Sequence, residues 1–394
     1  MPRAEAITST MSAAPLIRQE EATPRAPRRT PWAPIVVAAA AAALVAAAVS
    51  WWFFAGRQAI PDWERLTVLD LAAPAGDAFA DETPWVVLQL SPARPGEQNT
   101  LRLSLEAPRG SPLPATEAAS RIEALTARPL AADVASAENL VLRPEPGPDG
   151  ALAAITPLDR AGWWQFRVEV AGADRPAEFH LMLPDPNING PNAVPGFPSS
   201  AEAEAVIQRG LAATAALQSV RYTQWNADGA GNSSVSEHAV AVGGDGGEPS
   251  LTFRITGGME AVIIGSTRWV KLLGDLGWQR QEGGAFIPPS EWGEEYTEAT
   301  GFTLLGEETI DGEPTQLVAF VAPEQTEPRR RTVAWYLWWV GTETGQVRRE
   351  AMVSRQHYML NRFSGFNEPM QILPPEDGGT PAANPSTPQA SPVP

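Results

Sequence analysis

An almost entirely β chain, preceded by one membrane-spanning helix, is what three features of this sequence predict. The first is composition: 394 residues with 39 prolines, 33 glycines and 43% hydrophobic residues point to strands, turns and linkers around packed cores. The second is the stretch Ile35–Phe54, IVVAAAAAALVAAAVSWWFF, which carries no charge. The third is a long succession of segments that alternate apolar and polar residues, such as LRLSLEA from Leu101. A chain of this length exceeds one ordinary core, so two folded domains plus tails are expected.

The apolar stretch comes first in the chain. Twenty residues at about 1.5 Å each cover roughly the 30 Å hydrocarbon layer. Trp32 stands at one end and Trp51 and Trp52 at the other, where indole rings prefer the interface. Arg3, Arg18, Arg25, Arg28 and Arg29 precede it, and Arg57 alone closely follows. The positive-inside rule then predicts a cytoplasmic tail over 1–31, an anchor over 32–56 in the bacterial cytoplasmic membrane, and everything beyond it exported. A cleaved signal peptide is the rival reading; its apolar core is normally shorter and lacks the terminal aromatic cluster.

Residues 57–184 read as a sandwich. Leu101, Leu103 and Leu105 point inward, with Arg102, Ser104 and Glu106 outward. In WWQFRVEV, Trp164, Phe166, Val168 and Val170 share a face opposite Gln165, Arg167 and Glu169; in EFHLML, Phe179, Leu181 and Leu183 oppose His180 and Met182. A linker of turn formers, 185–198, follows. Residues 199–375 open on a helix capped by Ser199 or Ser200, with Glu202 and Glu204 in its first turn and Val206, Ile207, Leu211 and Leu217 as its apolar stripe. Strands then follow one another, with a hairpin turn at Asp311-Gly312. The tail 376–394, rich in Pro, Ser, Thr and Gly, is expected to be disordered.

One strand breaks the alternation. In AWYLWWVG from Ala334, Trp335, Leu337 and Trp339 lie on one side and Tyr336, Trp338 and Val340 on the other. Leu317–Val321 and Val262–Ile264 are likewise apolar on both sides. Either these strands line a cavity, with their second face covered by a loop, a neighbouring domain or a partner, or they run through a solid core.

The order of elements in the first domain, with PGEQNTLRL, a Gly-Trp strand start and LPDPNING, resembles the immunoglobulin-like YtkA/CopC-type domains that accompany copper-handling membrane proteins. In the second, EAVIIGSTRWVKLLGDLGWQRQ, LGEETIDGEPTQLVAFVA, YLWWVGTETGQVRR and FSGFNEPMQILPP resemble, in order, the LolA-like fold and the LppX/LprG-type bacterial lipoproteins. The fold so implied is an immunoglobulin-like β-sandwich followed by a curved antiparallel half-barrel wrapped around a helix, enclosing an apolar cavity for a lipid or other hydrophobic ligand. Trp269, Leu272, Trp278, Phe320, Trp335, Leu337, Trp338 and Trp339 are the cavity candidates. The family is usually tethered by a lipidated cysteine; this chain has no cysteine.

Lack of cysteine also removes disulfides, thiolate metal sites and a cysteine nucleophile. A net charge of −17 disfavours nucleic acid and anionic lipid surfaces as partners. His180 and Met182 are the copper candidates the first resemblance brings, but copper prefers a larger set of soft or imidazole ligands; a solvent-facing edge-strand position is the plainer reading. Neither a catalytic constellation nor a cofactor motif stands out: His180, His238 and His357 are scattered, Gly243–Gly247 lacks a following Lys-Ser/Thr, and Glu291, Glu294 and Glu295 read as a solvated loop. The predicted function is therefore non-enzymatic binding or relay of a hydrophobic ligand in the envelope. The alternatives are a structural or sensory protein that meets a membrane-protein partner, or a copper-handling accessory.

Overall fold

A computed structural model describes residues 66–71, 85–106, 113–130, 139–147, 151–173, 175–184, 199–228, 233–243, 247–255, 258–272, 277–283, 287–323, 333–354, 357–376 and 380–381. The expected anchor, the linker 185–198, the run Arg329-Arg330-Arg331 and most of the last tail lie outside these residues. Among the described residues no helix is long and apolar enough to cross a membrane.

Strict alternation becomes strand in the first domain. Its elements are β1 (Leu66–Leu71), β2 (Trp85–Ser91), β3 (Gln98–Glu106), the short helix α1 (Ala115–Arg121), β4 (Ile122–Leu130), β5 (Leu140–Leu142), β6 (Glu145–Pro146), β7 (Leu152–Pro157), β8 (Gly162–Val170) and β9 (Ala177–Leu183). They form two antiparallel sheets, ordered β1-β2-β3-β7-β6 and β5-β4-β8-β9. Leu101, Leu103, Leu105, Trp164, Phe166, Val168, Phe179 and Leu181 meet in one buried cluster, as the alternation demands.

In the second domain, Ser200 caps helix α2 (Ala201–Ala215), its side chain accepting from the Ala203 N–H at 3.0 Å. Glu202 and Glu204 follow in the first turn, where the dipole favours them. Eleven strands come next: β10 (Ser219–Asp228), β11 (Ser233–Ala241), β12 (Ser250–Ile255), β13 (Glu260–Ile264), β14 (Thr267–Lys271), β15 (Gln279–Glu282), β16 (Thr300–Ile310), β17 (Glu313–Ala322), β18 (Ala334–Gly341), β19 (Val347–Ser354) and β20 (His357–Ser364), with a 3-10 segment, Pro289–Tyr296, before β16. The β16–β17 hairpin turns on Asp311 (φ 50°) and Gly312 (φ 83°), the paired positive φ that a tight hairpin needs. One twelve-stranded sheet results, ordered β16-β17-β18-β19-β20-β10-β11-β12-β13-β14-β15-β21. Its last member, β21 (Thr380–Pro381), lies in the tail read from sequence as disordered; two residues of it pair with β15 in parallel.

Helix α2 lies against β16, β17, β18 and β19 on one face of this sheet. Val206, Ile207, Val318, Phe320, Tyr336, Trp338, Val340 and Val347 form the cluster beneath it. Gly210 lets the helix approach closely: a Cβ there would stand 3.3 Å from the Trp338 ring and from Val347.

The opposite face holds Leu317, Ala319, Val321, Trp335, Leu337, Trp339, Ala351, Val353 and Leu360, and these belong to the same cluster as the core of the first domain. The chain from Gln58 onward is accordingly one compact unit. Strand β9 lies beside β19, and β1 beside β10 and β20. The His180 ring meets Trp339 edge-on at 4.7 Å. Arg349 pairs with Glu178 at 3.0 Å and stacks over Trp339 at 5.2 Å, and Arg128 pairs with Glu308 at 3.1 Å. The Trp339 indole N–H donates to Glu308 at 2.8 Å.

This junction corrects the exposure expected for His180 and Met182. Both lie on an edge strand, yet they are 0% and 1% exposed, and the end of the row that holds Trp163 and Gln165 is buried with them, while Arg167 farther along is exposed. Alternation predicted that row to face water; the neighbouring domain covers it.

Replacing Trp339 by Ala removes a fully buried ring, its edge contact to His180 and its hydrogen bond to Glu308. The expected cost is about 3–5 kcal/mol, read in urea unfolding as a shift of one transition common to both domains. A loss near zero, or two separated transitions in the parent chain, would refute the shared core.

Candidate functional site

An aromatic-walled hollow under helix α2 is built from the helix, the 3-10 segment and three strands of the sheet. Leu211 in the last turns of α2 and Leu217 just beyond it supply the first wall. Trp292 and Tyr296, four residues apart in the 3-10 segment, supply the second. Trp338, Glu350 and Phe363, from β18, β19 and β20, form the floor, and Phe366 closes one side. The cavity measures about 40 Å3, which holds a few water molecules.

Tyr296 locks the 3-10 segment in place. Its ring stands edge-on to Phe320, Tyr336 and Trp338 at 5.4, 5.1 and 5.0 Å, the arrangement aromatic quadrupoles prefer. Its hydroxyl donates to Glu350 Oε2 at 3.1 Å. Glu350 Oε2 also accepts from the Trp338 indole N–H at 2.7 Å, and Oε1 from the Asn361 amide at 3.0 Å. Strand register explains this convergence: Trp338, Glu350, Asn361, Gln224 and Ser236 are direct cross-strand neighbours over β18, β19, β20, β10 and β11. The Gln224 amide donates to Asn361 at 3.0 Å, so side-chain hydrogen bonds run from Trp338 through Glu350 and Asn361 to Gln224, where Asn226 donates at 2.8 Å.

A second row, one pleat away, is aromatic. Phe363, Tyr222, His238 and Phe253 pair in register across β20, β10, β11 and β12. Tyr222 and His238 stack at 4.2 Å, and Trp292 meets Tyr222 edge-on at 5.9 Å. Burial pushes the Tyr222 hydroxyl pKa up, and the charge of Glu350 adds to the effect. Burial pulls His238 down to about 4, with Ser236 Oγ 2.8 Å from its Nε2.

Larger, more open hollows lie elsewhere among the described residues. One of about 540 Å3 runs along the domain junction and is lined by Arg128, Arg167, Arg349, Glu178 and Glu308, where Arg128–Glu308 and Arg349–Glu178 form ion pairs. Another of about 290 Å3 includes Trp278, Val262 and Arg254. Among the described residues no group of three His, Cys, Asp or Glu side chains could hold a metal ion.

The cavity candidates read from sequence separate widely. Trp338 lines the hollow under α2, and Phe320 packs in the cluster beside it. Trp335, Leu337 and Trp339 point the opposite way, into the junction with the first domain. Trp269 is buried on β14, Trp278 lines the 290 Å3 groove, and Leu272 is 47% exposed. Trp292, Tyr296, Glu350, Phe363 and Phe366 were not anticipated. Trp292 and Tyr296 sit among glutamates that read as a solvated loop, and only their spacing of four hinted at a shared face. Glu350 carried no signal: alternation in VRREAMVS groups it with Arg348, Met352 and Ser354, a side that reads as solvated.

The histidine shift has a sign. Above about pH 6.5 His238 is neutral whether the chain is folded or not. Between 6.5 and about 4 the unfolded chain takes up a proton that the folded one refuses, so stability falls with pH across that window. His357, also lowered by burial, acts in the same direction. Unfolding midpoints at pH 7 and pH 5 should drop more for the parent than for His238→Gln; parallel curves would contradict a neutral buried imidazole.

No family model and no curated protein matches this sequence. Solved structures do. The Mycobacterium tuberculosis lipoprotein LppX matches at 18% identity and a TM-score of 0.34, over 44% of this chain and 100% of its own. LprF from Mycobacterium bovis matches at 14% and 0.35, over 44% and 97%. A LolA superfamily protein from Nitrosomonas europaea matches at 12% and 0.20, over 44% and 94%. The C-terminal half of this chain is thus similar to LppX- and LprF-type lipoproteins and LolA-superfamily proteins, as its four sequence motifs suggested.

Proposed function

We propose that this chain is a non-enzymatic, envelope-associated protein whose second domain holds a hydrophobic ligand between helix α2, the 3-10 segment and the sheet. The observation that carries the reading is the aromatic hollow itself. Leu211, Trp292, Trp338, Phe363 and Phe366 line it together with a few polar side chains, Thr214, Gln346 and Glu350 among them, the pattern of a small-molecule site. Its present volume, about 40 Å3, admits no acyl chain, so occupation requires the wall to move. The wall suited to that is the turn around Trp292, ahead of the Tyr296 lock, in the 3-10 segment. At eight residues the segment far exceeds the usual 3–4 for such a helix, whose hydrogen bonds are poorly aligned. Each methylene then buried would contribute about 0.8 kcal/mol.

The uncharged stretch Ile35–Phe54 supports tethering to the cytoplasmic membrane with both β domains outside. The strand orders β2-β3-β7-β6 and β5-β4-β8-β9 match the A-B-E-D and C′-C-F-G arrangement of immunoglobulin-like sandwiches, which supports that reading of the first domain. Its part is to cover the second domain's outer face.

The small volume also favours a second reading, in which the second domain is a solid scaffold presenting surfaces to a membrane-protein partner. Mass spectrometry on protein purified without denaturation separates the two. The ligand reading expects about one hydrophobic molecule per chain, reduced several-fold by Leu211→Trp, which fills the hollow. A ligand-free chain that also fails to respond to added fatty acid or alkanol, by tryptophan fluorescence or melting temperature, abandons it.

A further inference from the structure

On its outer face, the twelve-stranded sheet changes character beyond β10. Trp225 and Val235 still belong to the junction core. Two residues farther along β11, register sets Glu237, Arg254, Glu260 and Lys271 side by side across β11, β12, β13 and β14. Ala239, Thr252, Val262 and Trp269 form the next row of the same face. We propose that the groove of about 290 Å3 bounded by these rows and by Trp278 binds a neutral oligosaccharide. The site is separate from the hollow under α2. Tyr222, His238 and Phe253 hold the alternate positions of these strands and stack with one another on the helix side, although His238 and Phe253 also border the groove.

The shape is that of a trough. Ala239 and Val262 are small and buried, at 7% and 8% exposure, and Thr252 lies between them in register. The long side chains of Glu237, Arg254 and Glu260 rise along one side, with Arg221 and Trp278 also in the lining. The trough runs across strands that are already paired, so it offers a peptide no free backbone edge for strand addition.

Charge excludes other ligands. The row alternates in sign, with Arg254 paired to Glu237 at 2.6 Å and Lys271 to Glu260 at 3.9 Å. An ion of either sign therefore meets both signs at once, and a hydrocarbon chain would strip water from the charges without replacing it. Carboxylates accept and guanidiniums donate. A sugar hydroxyl does both, so neighbouring hydroxyls of one ring can bridge a glutamate and an arginine of the same row.

The third observation is Trp278. It borders the groove partly exposed, and its indole N–H has no hydrogen-bond partner among the described residues. An indole presents an apolar face and a polar handle together, the combination that meets the C–H face and the hydroxyl rim of a sugar ring. A charged row serving only to hold the strands together would need no such ring and would leave sugars unbound.

The test uses the full chain in zwitterionic lipid nanodiscs at pH 7, with empty nanodiscs as the blank. N-Acetylchitotetraose, maltotetraose and the amide of N-acetyl-tetraalanine are titrated separately by calorimetry and tryptophan fluorescence. At least one sugar should bind saturably with a Kd of about 1 mM or below, and the peptide should not. Trp278→Ala should weaken that binding about tenfold, and Thr252→Trp, which fills the trough from its floor, should abolish it. If either variant fails to fold, the other decides. Added 1-octanol should leave the sugar affinity unchanged; competition would place the sugar in the hollow and overturn the assignment. Binding of neither sugar, peptide binding as tight as sugar binding, or parental affinity in a folded variant overturns it as well. None of these outcomes bears on the hydrophobic-ligand reading of the opposite face, except competition by octanol, which would support it.

Discussion

Everything in the second domain depends on strand β18 being buried from both sides. Tyr336, Trp338 and Val340 carry the helix, while Trp335, Leu337 and Trp339 carry the first domain. A strand with one wet face would leave one of these partners without an anchor. Strand β17 repeats the device, with Val318 and Phe320 toward the helix and Leu317, Ala319 and Val321 toward the junction. Two layers of apolar side chains on one backbone thus join three layers of structure: helix, sheet and sandwich.

The junction is not greasy alone. Trp339 is held by its indole N–H on Glu308, by the Arg349 guanidinium over its face and by the His180 edge. Arg349 in turn reaches Glu178 of the first domain, and Arg128 of the first domain reaches Glu308 of the second. The Arg349–Glu178 pair is largely buried and returns modest net stability because desolvation offsets most of the attraction, while Arg128 is 43% exposed and water screens its pair with Glu308. Their geometric demand is stricter than that of apolar packing, and it sets the register in which β9 meets β19.

Covering the outer face of this core confines a hydrophobic ligand to the helix side. There the sheet presents two parallel rows, one polar through Glu350, Asn361 and Gln224, the other aromatic through Phe363, Tyr222 and His238. The 3-10 segment lies where both rows approach α2, with Tyr296 bound to the polar row and Trp292 to the aromatic one. The hollow's chemistry is therefore mixed, a carboxylate set among rings, rather than uniformly hydrocarbon.

Local pattern alone determined much of this molecule. The alternation of Leu101, Leu103 and Leu105, the Ser200 cap, the Asp311-Gly312 hairpin and the doubly apolar β18 are each dictated by backbone geometry within a few residues, and each appears as the pattern requires. Sequence could state that β18 needed cover on both sides; it could not say which face would meet which neighbour, since tryptophans 335, 338 and 339 are chemically alike. Tertiary structure decided that, because burial depends on elements far away in the chain. The same reason buried His180 and Met182 under a domain that begins beyond residue 198, and drew Trp292 and Tyr296 out of a glutamate-rich stretch onto Glu350. Periodicity reports which residues share a face, and only the assembled fold reports what that face is pressed against.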